Sequence, residues 1–390
     1  MNTFVFRPYF RVGIALFAAT LFFCSASGLF PQNEPPEHIL LIEHIFFDRP
    51  LRHNKEAQVA AAQESARFWL PNEKEALPSM SIEGFEKPLS RSFVSRYTQG
   101  GNKIWLLEVL ERGGPYMAFI QDRIREKNLP EELLYIPAIE SAFVPTVVSR
   151  SGAAGLWQFM RNSMEPWLTS SDWIDERLDF WASTDAALSK LQLNYTETKD
   201  WPLALAAYNS GLGAIRTLLK KHPGKDYWDL STLNALKTES VSYVPKLLAV
   251  YYIASNPRRT GFENFWPERV EWEQVSVGRQ ADLRVLAEIA GINAGELQRA
   301  NAELRFPVTP PGTAYKLKVR AEMKEPLASA IAQTEIPLVR SYTHVVSRGD
   351  TIYGLARTYG IPEARIFEAN PGIQERVLQI GDQVLIPAVQ

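Results

Sequence analysis

LPEELLYIPAIESAF, residues 129–143, opens with the marks of a helix. Pro130 suits a first helical position, and Glu131 and Glu132 favour the positive end of the helix dipole. At helical spacing Leu133, Ile136, Glu140 and Phe143 share one face, so an otherwise apolar stripe carries a carboxylate. Pro137 falls inside this helix and predicts a kink, because it removes one backbone hydrogen bond. Two readings of Glu140 are open from spacing alone. It is a solvated residue on a misjudged face, or it is a carboxyl group held protonated because burial penalises its charged form. The second is what a general acid for breaking a glycosidic bond requires.

The neighbouring residues favour the second reading. Ser141 can hydrogen-bond the carboxyl group or a ligand. SRSGAAGLWQFM (149–160) follows, a small-residue turn in which glycines allow close approach to a ligand and Gln158 offers both a donor and an acceptor. Tyr208 and Asn209 interrupt an apolar helix with a phenol and an amide, the pair a sugar site uses for stacking and hydrogen bonding. Trp157 reads as a core residue. No second catalytic carboxylate stands out, since Asp175, Glu176 and Asp179 sit in a charged turn and read as structural.

From about Arg91 to Ala254 apolar residues recur at helical spacing between Gly and Pro breaks, with no sustained alternation of period two, which predicts an all-α domain. The chain has 390 residues, 46% apolar and 22% charged, enough for two or three domains. A net charge of −2 gives no reason to expect nucleic acid as partner, and five histidines and one cysteine show no metal-ligand spacing. No cofactor is expected.

At the N-terminus Arg7 and Arg11 precede the apolar run 12–23, and small residues follow, which reads as an export signal over residues 1–27. The run is shorter than the roughly 20 residues that span a bilayer, so signal cleavage is favoured over a permanent anchor. Lipid attachment at Cys24 is the alternative route to the membrane, although Phe23 is bulky for such a site. The protein is therefore expected outside the cytoplasm, in the periplasm or cell envelope, as a monomer. Residues 28–90 read as an N-terminal arm with one helix over 54–70.

The C-terminal part contains a repeat. LAEIAGINAGELQRAN (286–301) and LARTYGIPEARIFEAN (355–370) match at a constant offset of 69 residues. The second copy is framed by THVVSRGDT and DQVLIP, predicting strand–helix–helix–strand. The first has the closing run YKLKV but a weaker opening, EQVSVG, and reads as an eroded copy of a binding module.

Five motifs in one order, LPEELLYIPAIESAF, SRSGAAGLWQFM, DERLDFWASTDAAL, LALAAYNSGLGAI and SYVPKLLA, resemble the lysozyme-like catalytic domain of family 1 lytic transglycosylases. The resemblance spans about Tyr97 to Ala254, and the last copy of the repeat resembles a LysM module. It implies a mainly α fold, with a catalytic domain over 91–262, a degenerate LysM-like α+β module over 270–322 and a LysM module over 341–388. It implies Glu140 as catalytic acid and base, with Ser141 orienting it or the sugar. Gln158, Phe159, Tyr208 and Asn209 would line a glycan groove, with Tyr243 close to Glu140. The substrate implied is peptidoglycan, cleaved between N-acetylmuramic acid and N-acetylglucosamine without water to leave 1,6-anhydromuramyl ends. In the LysM module, glycan would bind between Gly349, Asp350 and Thr351 on one side and Asn370, Pro371, Gly372 and Ile373 on the other. Where relatives read Ile-Pro-x-Thr-Gly after Phe159, this chain has Met160-Arg161-Asn162-Ser163-Met164, which alters one groove wall. Hydrolysis on the same fold, or glycan binding without catalysis, are the rival functions.

Overall fold

Aspartates and prolines punctuate the helices of the first domain. Asp179 accepts from Trp181 N and Ala182 N, Asp200 from Leu203 N and Asp226 from Asp229 N, so each caps a helix whose first amides lack internal partners. Pro88 and Pro202 sit in first turns, where a missing N–H is harmless. A computed structural model describes residues 81–171, 173–262, 269–310, 314–373 and 377–388. The export signal, Cys24 and the helix expected over 54–70 lie outside the described residues.

The helices of the first domain are α1 (Pro88–Tyr97), α2 (Gly100–Glu126), α3 (Ile136–Ser141), α4 (Phe180–Thr198), α5 (Trp201–Ser210), α6 (Leu212–Lys221), α7 (Tyr227–Thr232), α8 (Thr238–Ser255) and α9 (Pro257–Thr260). Helix α8 is the central element and packs against α1, α5 and a 3-10 turn at Glu131–Tyr135. Its Val244, Leu247, Leu248, Val250 and Ile253 are fully buried. Each such side chain contributes about 1.5–3 kcal/mol by leaving water. Between α3 and α4 the chain runs through loops held by single bridges, Val148 to Ala154 and Ala154 to Phe159.

The helix expected across 129–143 is two pieces. Residues Glu131–Tyr135 form the 3-10 turn, and α3 starts afresh at Ile136 with Pro137 in its first turn. Pro137 therefore begins a helix instead of kinking one.

Two βααβ modules follow. The first comprises β1 (Trp272–Val277), α10 (Leu283–Ala290), α11 (Ala294–Ala300) and β2 (Tyr315–Arg320). After α12 (Lys324–Gln333) come β3 (Tyr342–Val345), α13 (Ile352–Tyr359), α14 (Glu363–Ala369) and β4 (Gln383–Ile386). Each module has one antiparallel pair: Trp272 opposite Arg320 through Val277 opposite Tyr315, and Tyr342 opposite Ile386 through Val345 opposite Gln383. The opening strand that looked eroded is thus the longer of the two.

The repeat holds atom by atom. Asn301 ends α11 and pins β2, donating to Leu297 O and Lys318 O and accepting from Lys318 N. Asn370 ends α14 and makes the same three bonds, to Ile366 O, Leu385 O and Leu385 N.

The first module is fastened to the helical domain. Trp272 Nε1 donates to Pro115 O at 2.6 Å, and its ring lies 4.9 Å from that of Phe180. Lys318 Nζ reaches Asp179 at 2.7 Å and also pairs with Glu303, whose Oε1 accepts from Tyr315 at 2.5 Å. Backbone bonds link Asp175 N to Glu303 O and Arg305 N to Trp173 O.

Candidate active site

Glu140 stands near the end of α3, where the chain reverses through two left-handed residues, Ala142 (φ 51°) and Phe143 (φ 56°). Arg112 of α2 donates to Ala142 O at 2.5 Å and holds this reversal in place. The Phe143 ring is fully buried against Gly113, where a Cβ would come within 2.7 Å of it. Leu133 of the 3-10 turn, Ile136 of α3 and Phe143 beyond its end all go into the core, and Glu140 stays partly exposed at its edge.

Tyr243 of α8 donates its hydroxyl to Glu140 Oε1 at 2.6 Å. Burial raises the Glu140 carboxyl from 4.5 to about 7; the Tyr243 hydrogen bond opposes the rise, Glu239 adds to it, and Lys190 and Lys246 oppose it. The phenols of Tyr208 and Tyr243 are pushed well above their usual value, by burial and then by the nearby Glu140. Around neutral pH this leaves a protonatable carboxyl beside two neutral phenols, the state a proton donor needs.

The loop beside Glu140 is held through its carbonyls. Ser141 Oγ donates to Leu156 O at 2.8 Å and to Pro137 O at 3.0 Å. Tyr208 OH donates to Trp157 O at 2.8 Å, and Arg177 Nη1 to Gly152 O at 2.7 Å. Arg177 is itself fixed by Asp175 at 2.7 Å, so the charged turn does structural work for this loop. Trp157 is fully buried, with Nε1 donating to Thr184 Oγ1. Gly155 (φ +80°) is required because a Cβ would lie 1.8 Å from Arg177 O. Its close approach is to the protein's own backbone.

The residues singled out in the sequence divide into two groups here. Glu140, Tyr208, Tyr243 and Phe159 come together: the Phe159 and Tyr208 rings meet edge to face at 6.3 Å, and both phenols are electrostatically coupled to Glu140. Asn209 Oδ1 accepts from Ser240 Oγ, which joins α5 to the start of α8. Gln158 takes a left-handed conformation (φ 50°) and donates to Gly155 O at 2.8 Å. Ser141 is fully buried with its hydroxyl committed to backbone, so it positions the loop.

Among the described residues no cluster of His, Cys, Asp and Glu could hold a metal ion.

The transglycosylase SLT domain model matches residues 117–231, which include Glu140, Tyr208 and the loop between them. The LysM domain model matches residues 344–387. The chain is 31% identical over 343 residues to the membrane-bound lytic murein transglycosylase D of Escherichia coli K12, across 80% of this chain and 75% of that one. The chain belongs to the lytic murein transglycosylase family. The corresponding protein of Escherichia coli O6:H1 gives the same figures. Among solved structures, the 70 kDa soluble lytic transglycosylase of Escherichia coli aligns with a TM-score of 0.33 and 24% identity, covering 46% of this chain and 33% of that one.

In this lytic transglycosylase the LysM turn is tightly organised. Asp350 Oδ2 accepts from Ser347 N and lies 2.7 Å from His344 Nε2, and these contacts hold its carboxyl below the usual range. Thr351 caps α13, accepting from Gly354 N. Gly349 (φ +96°) and Gly372 (φ +82°) make the two turns. Ile373 is buried and Pro371 exposed.

Lys190 escaped the sequence reading. It lies on α4, 50 residues beyond Glu140 in the chain, and its ammonium sits 5.2 Å from the centroids of both the Phe159 and Tyr208 rings. Nothing local distinguishes this lysine from a solvated one on a surface helix. The hint lay in register: Thr184, Ala187 and Leu191 make one buried stripe of α4, and Lys190 borders it.

Proposed function

We propose that the chain cleaves the β-1,4 bond between N-acetylmuramic acid and N-acetylglucosamine in peptidoglycan without consuming water, leaving 1,6-anhydromuramyl ends. The observation that carries this reading is a lone carboxyl group held near neutral pKa by burial, hydrogen-bonded to Tyr243. Most glycosidases use two carboxylates, roughly 5–9.5 Å apart. The other acid felt by Glu140 is Glu239, an exposed residue in the first turn of α8. A single carboxyl suffices when the substrate provides its own nucleophile.

Protonated Glu140 donates to the glycosidic oxygen as the bond to the muramyl C1 breaks, with the 2-acetamido group assisting from the opposite side. The resulting carboxylate keeps its hydrogen bond from Tyr243 and is stabilised by the charges of Lys190 and Lys246. It then takes the proton of the muramyl 6-hydroxyl as that oxygen closes on C1. Glu140 ends protonated, ready for the next strand.

The LysM module binds N-acetylglucosamine-containing glycan in this reading, and the protein works in the cell envelope. Membership of a family whose Escherichia coli relative is named membrane-bound supports the envelope placement. No helix among the described residues is long and apolar enough to cross a membrane.

Mass spectrometry of the products released from purified peptidoglycan tests the reaction. Anhydromuramyl ends are expected from the wild type; reducing ends would make the protein a muramidase on the same fold.

The carboxyl value also sets a pH dependence. Since the acid form starts the reaction, kcat/KM is expected to fall as pH rises through about 7. Tyr243→Phe removes a hydrogen bond that favours the carboxylate, so its falling limb should move to higher pH while kcat drops. A limb unchanged in Tyr243→Phe would mean that this bond does not tune the acid.

A further inference from the structure

Lys190 is a cation without an anion of its own. Its ammonium rests over the faces of Phe159 and Tyr208, at 5.2 Å from each ring centroid. Among the described residues no carboxylate forms an ion pair with it. Two aromatic faces attract a cation, yet they return little of the hydration lost by a partly buried ammonium. Glu140 is the carboxyl whose charge reaches it, and burial together with that charge sets how readily the lysine keeps its proton. In the acid state that begins the reaction Glu140 is neutral. Lys190 is then uncompensated among rings and phenols beside Glu140, where Lys246 is a second cation whose charge reaches the carboxyl. The neutral hydroxyl and acetamido groups of a glycan do not answer a positive charge.

We propose that Lys190 is a specificity-determining residue that receives the lactyl carboxylate of the muramyl unit whose bond is broken. This rests on the glycan-cleaving function proposed above and names the substrate class within it. The lactyl ether on C3 sits on the same ring as the reacting C1, so a contact beside Glu140 suits it. That carboxylate is ionised only where the stem peptide has been removed; with the stem attached it is a neutral amide. The site is therefore built for stem-free strands. A charge-assisted hydrogen bond to this carboxylate takes the place of the carboxylate that Glu140 does not supply in its acid form.

The test uses the full chain and two substrates that differ in this charge alone. One is glycan strands stripped of their stems; the other is the same strands with the lactyl carboxylates capped as methylamides. The wild type should favour the free acid by roughly tenfold in kcat/KM, the worth of about one such bond. Lys190→Met and Lys190→Gln should bring the ratio near unity, and Lys190→Arg should restore it. Any change these variants make to the acidity of Glu140 acts on both substrates and cancels in the ratio. A wild-type ratio near unity overturns the proposal, as does a preference that survives in Lys190→Met and Lys190→Gln. An enzyme that cleaves both substrates with no preference loses only this inference. A wild type that cleaves neither but cleaves intact peptidoglycan also loses only this inference, and one that cleaves none of the three loses the proposed reaction with it.

Discussion

Glu140→Gln is expected to lower turnover on peptidoglycan by roughly 10²–10⁴-fold, the range for removing a general acid–base group, while leaving the fold intact. Glutamine keeps the size of the side chain and an oxygen to accept from the Tyr243 hydroxyl, which lies 2.6 Å from Glu140 Oε1. It has no proton to give to the leaving oxygen and cannot take one back from the 6-hydroxyl, so both halves of the proposed cycle fail together. The same variant should be more stable than the wild type in mild alkali. A carboxyl held at about 7 in the folded protein, against 4.5 without burial, binds its proton more tightly when folded. Between those values the unfolded chain ionises and the folded one does not, so wild-type stability falls as pH rises through this window. At pH 8 the loss reaches about 3 kcal/mol at most, and the glutamine variant does not suffer it. Urea melts at pH 4 and pH 8 read this directly: the advantage of the variant should be small at pH 4 and grow at pH 8. Full activity in Glu140→Gln would move the catalytic role to another residue, and an advantage independent of pH would deny that Glu140 is desolvated.

The carboxylate was legible in the sequence because a period of 3.6 groups it with Leu133, Ile136 and Phe143, all fully buried, although only Ile136 shares its helix, Leu133 lying in the 3-10 turn and Phe143 in the left-handed reversal. The same rule explains why Ser141 is not beside it. One step along a helix turns a side chain by about 100°, so the next residue faces inward, to Leu156 O. Proline was legible as a break but not as a start, since spacing alone does not say whether the chain before it is α or 3-10. Lys190 and Arg177 were illegible for a different reason. Each acts on a loop reached only through tertiary folding, and a charged side chain next to a buried stripe looks the same in sequence whether it meets water or another domain. In YKLKV the alternation places Leu317 and Val319 inward and assigns Lys316 and Lys318 to solvent. Lys316 is exposed, and Lys318 is 2% exposed because the helical domain covers that face of the strand.

Lys318→Met should therefore destabilise the protein by about 3–5 kcal/mol at pH 7, the usual effect of removing one partner from a buried charge cluster. Lys318 Nζ is the cation between Asp179 and Glu303, and Glu303 is fully buried with its Oε2 lacking any partner. Burial raises the Glu303 carboxyl, and Lys318 is the main opposing influence. Without the lysine two acids face each other across the domain junction. The damage should ease in acid, where Glu303 takes up a proton, and Lys318→Met combined with Glu303→Gln should recover part of the loss, since the pair is coupled. Equilibrium denaturation of the wild type and the two variants at pH 7 and pH 5 decides it; a change under about 1 kcal/mol for Lys318→Met would mean that the cluster is hydrated and weak. The effect should reach activity too, because Asp179 caps α4, the helix that carries Lys190. The repeat shows which edge of the module makes this junction. Asn301-Ala302-Glu303-Leu304 stands where the second copy has Asn370-Pro371-Gly372-Ile373, one side of the groove proposed for glycan. In the first copy this loop bonds to Asp175 and pairs Leu304 with Ile174 of the helical domain. Lys318 occupies the place of Leu385, whose N–H is pinned by Asn370 just as that of Lys318 is by Asn301, and Leu385 is 42% exposed. This edge of the first copy thus packs on the helical domain, and in the second copy Leu385 is exposed at the same edge.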